Sequence, residues 1–164
     1  MDQSEKFIVL LRHGIAEPHG ARADDDARVL TETGNRRMKQ IGRGLAKRFR
    51  KAEVIYSSPL IRCVETAEWV EKGYRSSIAM KTYDALKPGA GADDLRGLIN
   101  SSEARRIIFV GHESDLSSAM LALTKMTADG PIELKKGGCY GLRLFDDGSA
   151  CLEWMLPPRV LRRR

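Results

Sequence analysis

Short apolar runs recur along this chain, each ending against polar residues or glycine. Ile8-Val9-Leu10-Leu11 leads into Arg12-His13-Gly14, Val54-Ile55-Tyr56 into Ser57, and Ile107-Ile108-Phe109-Val110 into Gly111-His112. Runs of this length predict buried strands rather than independent helices, and the glycines mark breaks. Between the first two runs the apolar spacing becomes helical. Met38, Ile41, Leu45 and Phe49 share one face, with Arg36, Arg37, Lys39, Arg43, Lys47 and Arg48 over the other. Thr31 is placed to cap this helix, and Glu32 suits the positive end of its dipole. Ser58 is expected to cap a second helix, with Pro59 at its first position and Cys63, Thr66, Ala67 and Val70 turned inward. Ile78-Ala79-Met80 reads as a weak strand and Lys87-Pro88-Gly89-Ala90-Gly91 as a loop. Asp93 opens a short helix carrying Leu95, Leu98 and Ile99, and Leu116, Met120 and Leu123 belong to a helix after His112. Gly137-Gly138 turns into a strand at Tyr140–Phe145, and Asp146-Asp147-Gly148-Ser149 is a hairpin signal before Cys151–Met155.

Strands and helices alternate and a hairpin closes the chain. The expected fold is therefore α/β in three layers: a mostly parallel sheet, helices on both faces and the C-terminal hairpin on the sheet. The 164 residues suit a single domain, with a core from about 7 to 155 and a basic tail over 159–164 whose Arg162-Arg163-Arg164 end is expected to fray. The polar connection Ile15–Val29 is long enough to be a lid or binding loop. Its Asp24-Asp25-Asp26 run is expected to be solvated, and Arg28 either folds back over an anion or lies on the surface.

Hydrophobic content of 42% and charged content of 30% are ordinary for a globular protein. The net charge of +6 suits an anionic partner. Nucleic acid is not expected, because aromatics are only 6% and the basic residues are interleaved with acidic ones. A phosphate group explains the excess equally well. The three cysteines, Cys63, Cys139 and Cys151, form no Cys-x-x-Cys pair and fall at buried helix or strand positions, consistent with a reducing cytoplasm. The N-terminus Met1–Lys6 carries no apolar signal core and no segment reaches membrane-spanning length. A monomer is the expected state.

The candidate chemistry lies at the strand ends. Ligands bind outside the carboxyl ends of strands in open α/β sheets, where this sequence delivers Arg12, His13 and His112. Arg62 falls in the first turns of a helix, against the local dipole, so it reads as a functional residue. Two guanidiniums and two imidazoles, supplemented by Arg28, suit a dianionic tetrahedral group. A neutral imidazole can attack phosphorus and form a phosphohistidine that water then hydrolyses. The sequence has no Gly-rich P-loop, no cysteine followed by arginine at the thiolate-phosphatase offset and no Gly-x-Ser-x-Gly elbow.

Leu11-Arg12-His13-Gly14, Ser57-Ser58-Pro59-Leu60-Ile61-Arg62 with Thr66, and Val110-Gly111-His112 together resemble the histidine phosphatase superfamily, which includes the phosphoglycerate mutases. The short chain, Arg28–Gly34 and Leu86-Lys87-Pro88-Gly89 resemble its compact SixA-type protein phosphohistidine phosphatases. The resemblance runs from Phe7 to about Trp154 and implies a phosphoglycerate mutase-like fold. It implies His13 as nucleophile, with Arg12, Arg62 and His112 holding the transferring phosphoryl group, and Arg28, Gly14 and Ser58 assisting its binding. It implies no metal and no cofactor. The general acid that ester-cleaving members use has two candidates, Glu113 and Asp84. SixA-type enzymes lack a clear acid, and a phosphoramidate tolerates that lack because its P–N bond is weaker and its imidazole leaving group more stable.

The leading expectation is thus a metal-independent phosphatase acting on phosphohistidine in a partner protein of a signalling phosphorelay. A small-molecule phosphomonoesterase acting on a sugar phosphate or nucleotide is the alternative. An open site would favour the protein substrate, and a lid from 15–29 the small one. A metallohydrolase using His13, His112 and His19 with the acidic run lacks ligand spacing. A non-catalytic phosphoprotein-binding module would need no nucleophile.

Overall fold

The computed structural model describes residues 5–75 and 77–163. Met1–Ser4 of the polar N-terminus and Arg164 of the expected tail lie outside them. Six strands form one sheet: β1 (Phe7–Arg12), β2 (Val54–Ser57), β3 (Ala79–Thr82), β4 (Arg106–Gly111), β5 (Cys139–Leu144) and β6 (Ala150–Leu156), in the order β3-β2-β4-β1-β5-β6. Strands β1, β2, β3 and β4 pair in parallel, and the β5–β6 hairpin adds antiparallel to β1. The central strands are buried on both faces, which is why they read as unbroken apolar runs.

Helices α1 (Glu32–Arg48), α2 (Ile61–Tyr74) and α5 (Pro158–Leu161) cover one face, where Met38, Ile41, Leu45, Cys63, Val70 and Leu161 pack on Val9, Leu11, Ile108 and Val110. Helices α3 (Ala92–Asn100) and α4 (Asp115–Thr124) cover the other, with Leu95, Ile99, Leu116, Met120 and Leu123 around Ile8, Leu10, Phe109 and Tyr140. This is the expected α/β, three-layer, mostly parallel architecture. Among the described residues no helix is long and apolar enough to cross a membrane.

Several local expectations are corrected. The basic tail does not begin at 159: Pro158–Leu161 is helical and Leu161 is buried, because Gly44 on α1 lets its backbone come close. Ser58 does not cap α2. Its N–H bonds Val110 O at 2.9 Å, so the chain continues the sheet ladder beyond β2, and α2 starts only after Leu60 with no side-chain cap. Thr31 does cap α1, accepting from Gly34 N. Gly34 also lets α1 approach the chain leaving β1, since a Cβ there would lie 2.0 Å from Ile15 O.

Candidate functional site

The register of β1 and β4 brings the two histidines together. Arg12 pairs with Gly111 at the carboxyl end of both strands, and His13 and His112 follow one step later. Their ring centroids are 5.5 Å apart, and both rings are buried. His13 Nδ1 lies 2.7 Å from Gly14 O. A carbonyl only accepts, so Nδ1 carries the proton and Nε2 keeps its lone pair. Burial, opposed by the Gly14 bond and reinforced by His112, Arg62 and Arg12, lowers the His13 pKa to about 3. Burial and the neighbouring arginines lower that of His112 to about 4. Both imidazoles are therefore neutral at pH 7.

His112 Nε2 bonds Ser58 Oγ at 2.9 Å and lies 3.6 Å from Cys63 Sγ. Burial holds the Cys63 thiol up at about 12, so it stays protonated. Gly14 was expected among the phosphate ligands, but its backbone is already engaged. Its N–H donates to Thr66 Oγ1 at 2.9 Å and its carbonyl takes His13 Nδ1. Thr66 completes the link by donating to Arg62 O at 2.7 Å. Gly14 thus fixes His13 through its carbonyl.

Arg12 and Arg62 are each held from one side. Arg12 Nη1 donates to Leu134 O at 2.6 Å and to Glu133 Oε1 at 3.3 Å. Arg62 Nη1 donates to Asp25 O at 3.0 Å, while Nη2 lies 3.7 Å from Asp25 Oδ2. The Nε of each arginine is buried without a partner. Leaving a charged donor buried and unsatisfied costs on the order of 1–3 kcal/mol or more. A tetrahedral anion accepting along the Nε edges would remove that cost. Burial and repulsion from Arg28 also push the Arg62 pKa down.

Arg28 folds inward rather than lying on the surface. Its Nε and Nη2 lie 2.7 and 3.0 Å from the two Asp25 carboxylate oxygens, and Nη1 donates to Glu17 O at 2.7 Å. The residue is buried, with Nη1 and Nη2 engaged and Nε facing Asp25 Oδ1 without a well-aligned hydrogen bond. The acidic run is likewise not all solvated. Asp25 sits on a 3-10 turn, Asp25–Ala27, that Asp24 caps, and also meets His19 Nδ1 at 2.8 Å. Two guanidiniums attract one carboxylate out of three, and the Arg28 hydrogen bond chiefly lowers its pKa to about 2. These bonds, with the Ala16–Leu30 bridge, order the 15–29 connection.

The two acid candidates differ in setting. Asp84 is exposed and ion-paired to Lys87 at 3.2 Å. Glu113 is partly buried; Oε1 accepts from Leu134 N at 2.9 Å and from Ser117 Oγ, which also bonds Tyr140 OH. Its Oε2 is buried and unpartnered. Glu113 thereby anchors the segment whose Leu134 carbonyl holds Arg12. Two participants were missed in the sequence: Leu134, which acts through its backbone, and Lys136. Burial and then Arg12, Arg28 and Arg62 lower the Lys136 pKa, so it belongs to the same cationic cluster. Its only sequence signal is its place before Gly137, whose N–H returns to the carbonyls of Arg12 and His13. Among the described residues no group of three or more His, Cys, Asp or Glu could hold a metal; His19 is exposed and paired with Asp25.

The neutral, buried histidines couple stability to pH. Their folded pKa values lie below the unfolded 6.5, so the unfolded chain binds more protons between about 3 and 6.5. Their contribution is complete above pH 6.5 and is lost as pH falls below it, by about 2 kcal/mol each near pH 5. A urea titration series over this range should show the loss, and His112→Asn should flatten it. An equal slope in the variant would refute the assignment.

Comparison with known proteins agrees with this geometry. The sequence profile of the histidine phosphatase superfamily (branch 1) matches residues 8–87. An uncharacterised protein of Picosynechococcus sp. (strain ATCC 27264 / PCC 7002 / PR-6) is 30% identical over 142 residues, 83% of this chain and 84% of that one. The protein histidine phosphatase SixA, solved with tungstate, superposes with a TM-score of 0.81 at 19% identity, covering 94% of this chain and 99% of that one. Mycobacterial glucosyl-3-phosphoglycerate phosphatase gives 0.73 at 18% identity, covering 93% and 99%.

Proposed function

This chain belongs to the histidine phosphatase superfamily and is a phosphatase, and on that premise we propose that it removes phosphoryl groups from phosphohistidine in a partner protein. His13 Nε2, neutral and presented by the Nδ1–Gly14 bond, attacks phosphorus, and the bond from phosphorus to the leaving nitrogen breaks. Arg12 and Arg62 donate to the phosphoryl oxygens from their unpartnered Nε edges. His112, held by Ser58, adds a further contact from its other ring nitrogen. Water then cleaves the phosphohistidine on His13, releasing inorganic phosphate. The residues that carry this reaction do so without a metal or cofactor.

The observation that carries the choice of substrate is the placement of the carboxylates. Glu113 Oε1 is engaged by the Leu134 N–H and the Ser117 hydroxyl, and Asp84 lies exposed against Lys87. Neither is committed to protonating an alkoxide, a deficiency that a P–N substrate tolerates. A second reading, a phosphomonoesterase for small substrates, rests on Glu113, which follows His112 in the chain and whose Oε2 is buried and unpartnered.

The deciding experiment measures initial rates on a histidine-phosphorylated protein, p-nitrophenyl phosphate and a sugar-phosphate panel, in chelator. Rapid phosphohistidine loss with weak ester turnover, unchanged in Glu113→Gln, supports the first reading. Strong turnover of one ester, lost in Glu113→Gln, replaces it with the second.

A further inference from the structure

Arg62 is a buried cation in the first turn of α2, where the helix dipole opposes it, and Arg28 is a second buried cation beside it. Like charges held this close repel strongly when removed from water. Without a shared counter-ion, one guanidinium would leave the site for solvent. Asp25 is that counter-ion. Its carboxylate takes the Nε–Nη2 edge of Arg28, and its Oδ2 and main-chain carbonyl face the two Nη groups of Arg62.

The use of edges matters. A guanidinium presents an end-on edge, Nη1 with Nη2, and a side-on edge, Nη2 with Nε. Asp25 occupies the end-on edge of Arg62 and leaves the side-on edge, with its buried unpartnered Nε–H, open. Arg12 shows the same division, with Nη1 bound to Leu134 O and Nε unpartnered. Arg28 differs in that its Nε–Nη2 edge faces the Asp25 carboxylate and its Nη1 donates to Glu17 O, although its Nε, 2.7 Å from Asp25 Oδ1, makes no well-aligned hydrogen bond.

We propose that Asp25 is a positioning residue of the phosphatase reaction, bridging Arg28 and Arg62 so that Arg62 presents its Nε edge to the transferring phosphoryl group. This inference rests on the phosphatase reading above. Asp25 also adds negative charge next to an anion site, so it weakens ground-state phosphate binding while improving the geometry of the transition state. Its removal should therefore move turnover and phosphate affinity in opposite directions, which a general loss of structure does not do.

The test compares the full chain with Asp25→Asn and Asp25→Ala, reading kcat, KM and inhibition by inorganic phosphate. Asp25→Asn keeps the main-chain contact to Arg62 and should lower kcat about tenfold, Asp25→Ala further still. Inhibition by phosphate should be unweakened or several-fold tighter in both. A kcat within twofold of the parent in both variants overturns the inference, as does loss of kcat and phosphate affinity in proportion. Absence of phosphatase activity in the parent chain, or activity that survives His13→Ala, would instead overturn the reading of the site itself.

Discussion

His13→Ala is expected to lower turnover by about four orders of magnitude, whatever the phosphate substrate. The imidazole supplies the lone pair that attacks phosphorus, and no other described side chain can take its place. Cys63 is held protonated by burial, and the His112 Nε2 is already bonded to Ser58. The arginine cradle remains in the variant, so phosphate inhibition should change only a few-fold. Alkaline quenching during turnover should trap labelled phosphohistidine in the parent and none in the variant. Residual turnover within tenfold of the parent would remove His13 from the mechanism. The acid limb of kcat/KM follows from the same burial. His13 stays neutral down to about pH 3, so the limb should not fall near 6.5 on its account.

Arg62→Ala is expected to cost about two to three orders of magnitude in kcat, the usual effect of losing a preorganised charge on a transferring phosphoryl group. Stability should suffer much less, because Asp25 keeps its two-point contact with Arg28 and the variant removes a cation buried against the α2 dipole. Arg62→Lys should restore little. An ammonium is a point charge and cannot bond Asp25 on one edge and phosphate on the other. Thermal melts beside steady-state rates separate the effects. Recovery to within threefold in the lysine variant would show that charge alone, without the edge geometry, is what Arg62 supplies.

The sequence brings the candidate residues to one place where local pattern and strand register are sufficient. Apolar runs ending in Arg12-His13 and Gly111-His112 could be read as adjacent parallel strands, and their pairing places the two imidazoles together. Arg62 stood out because it violates a dipole preference that its own helix reveals. Gly14 and Ser58, next to or near the site motifs, and Arg28, at the end of the 15–29 loop, are expected at the phosphate on sequence grounds alone. The fold gives each a protein partner that the sequence does not reveal: Thr66 for Gly14, His112 and the sheet for Ser58, Asp25 for Arg28.

By itself, then, the sequence determined the layers, the strand ends and the histidine–arginine constellation, because these depend on hydrophobic period and on residues close in the chain. Only the tertiary structure decided which hydrogen-bonding edges stay free. Asp25 meets Arg62 across 37 positions, and Leu134 meets Arg12 across 122. One uses a main-chain carbonyl and the other a carboxylate as well, and a main-chain carbonyl is present at every residue. Its choice of partner leaves no mark in the side-chain pattern and is settled by how the loops pack over the sheet edge.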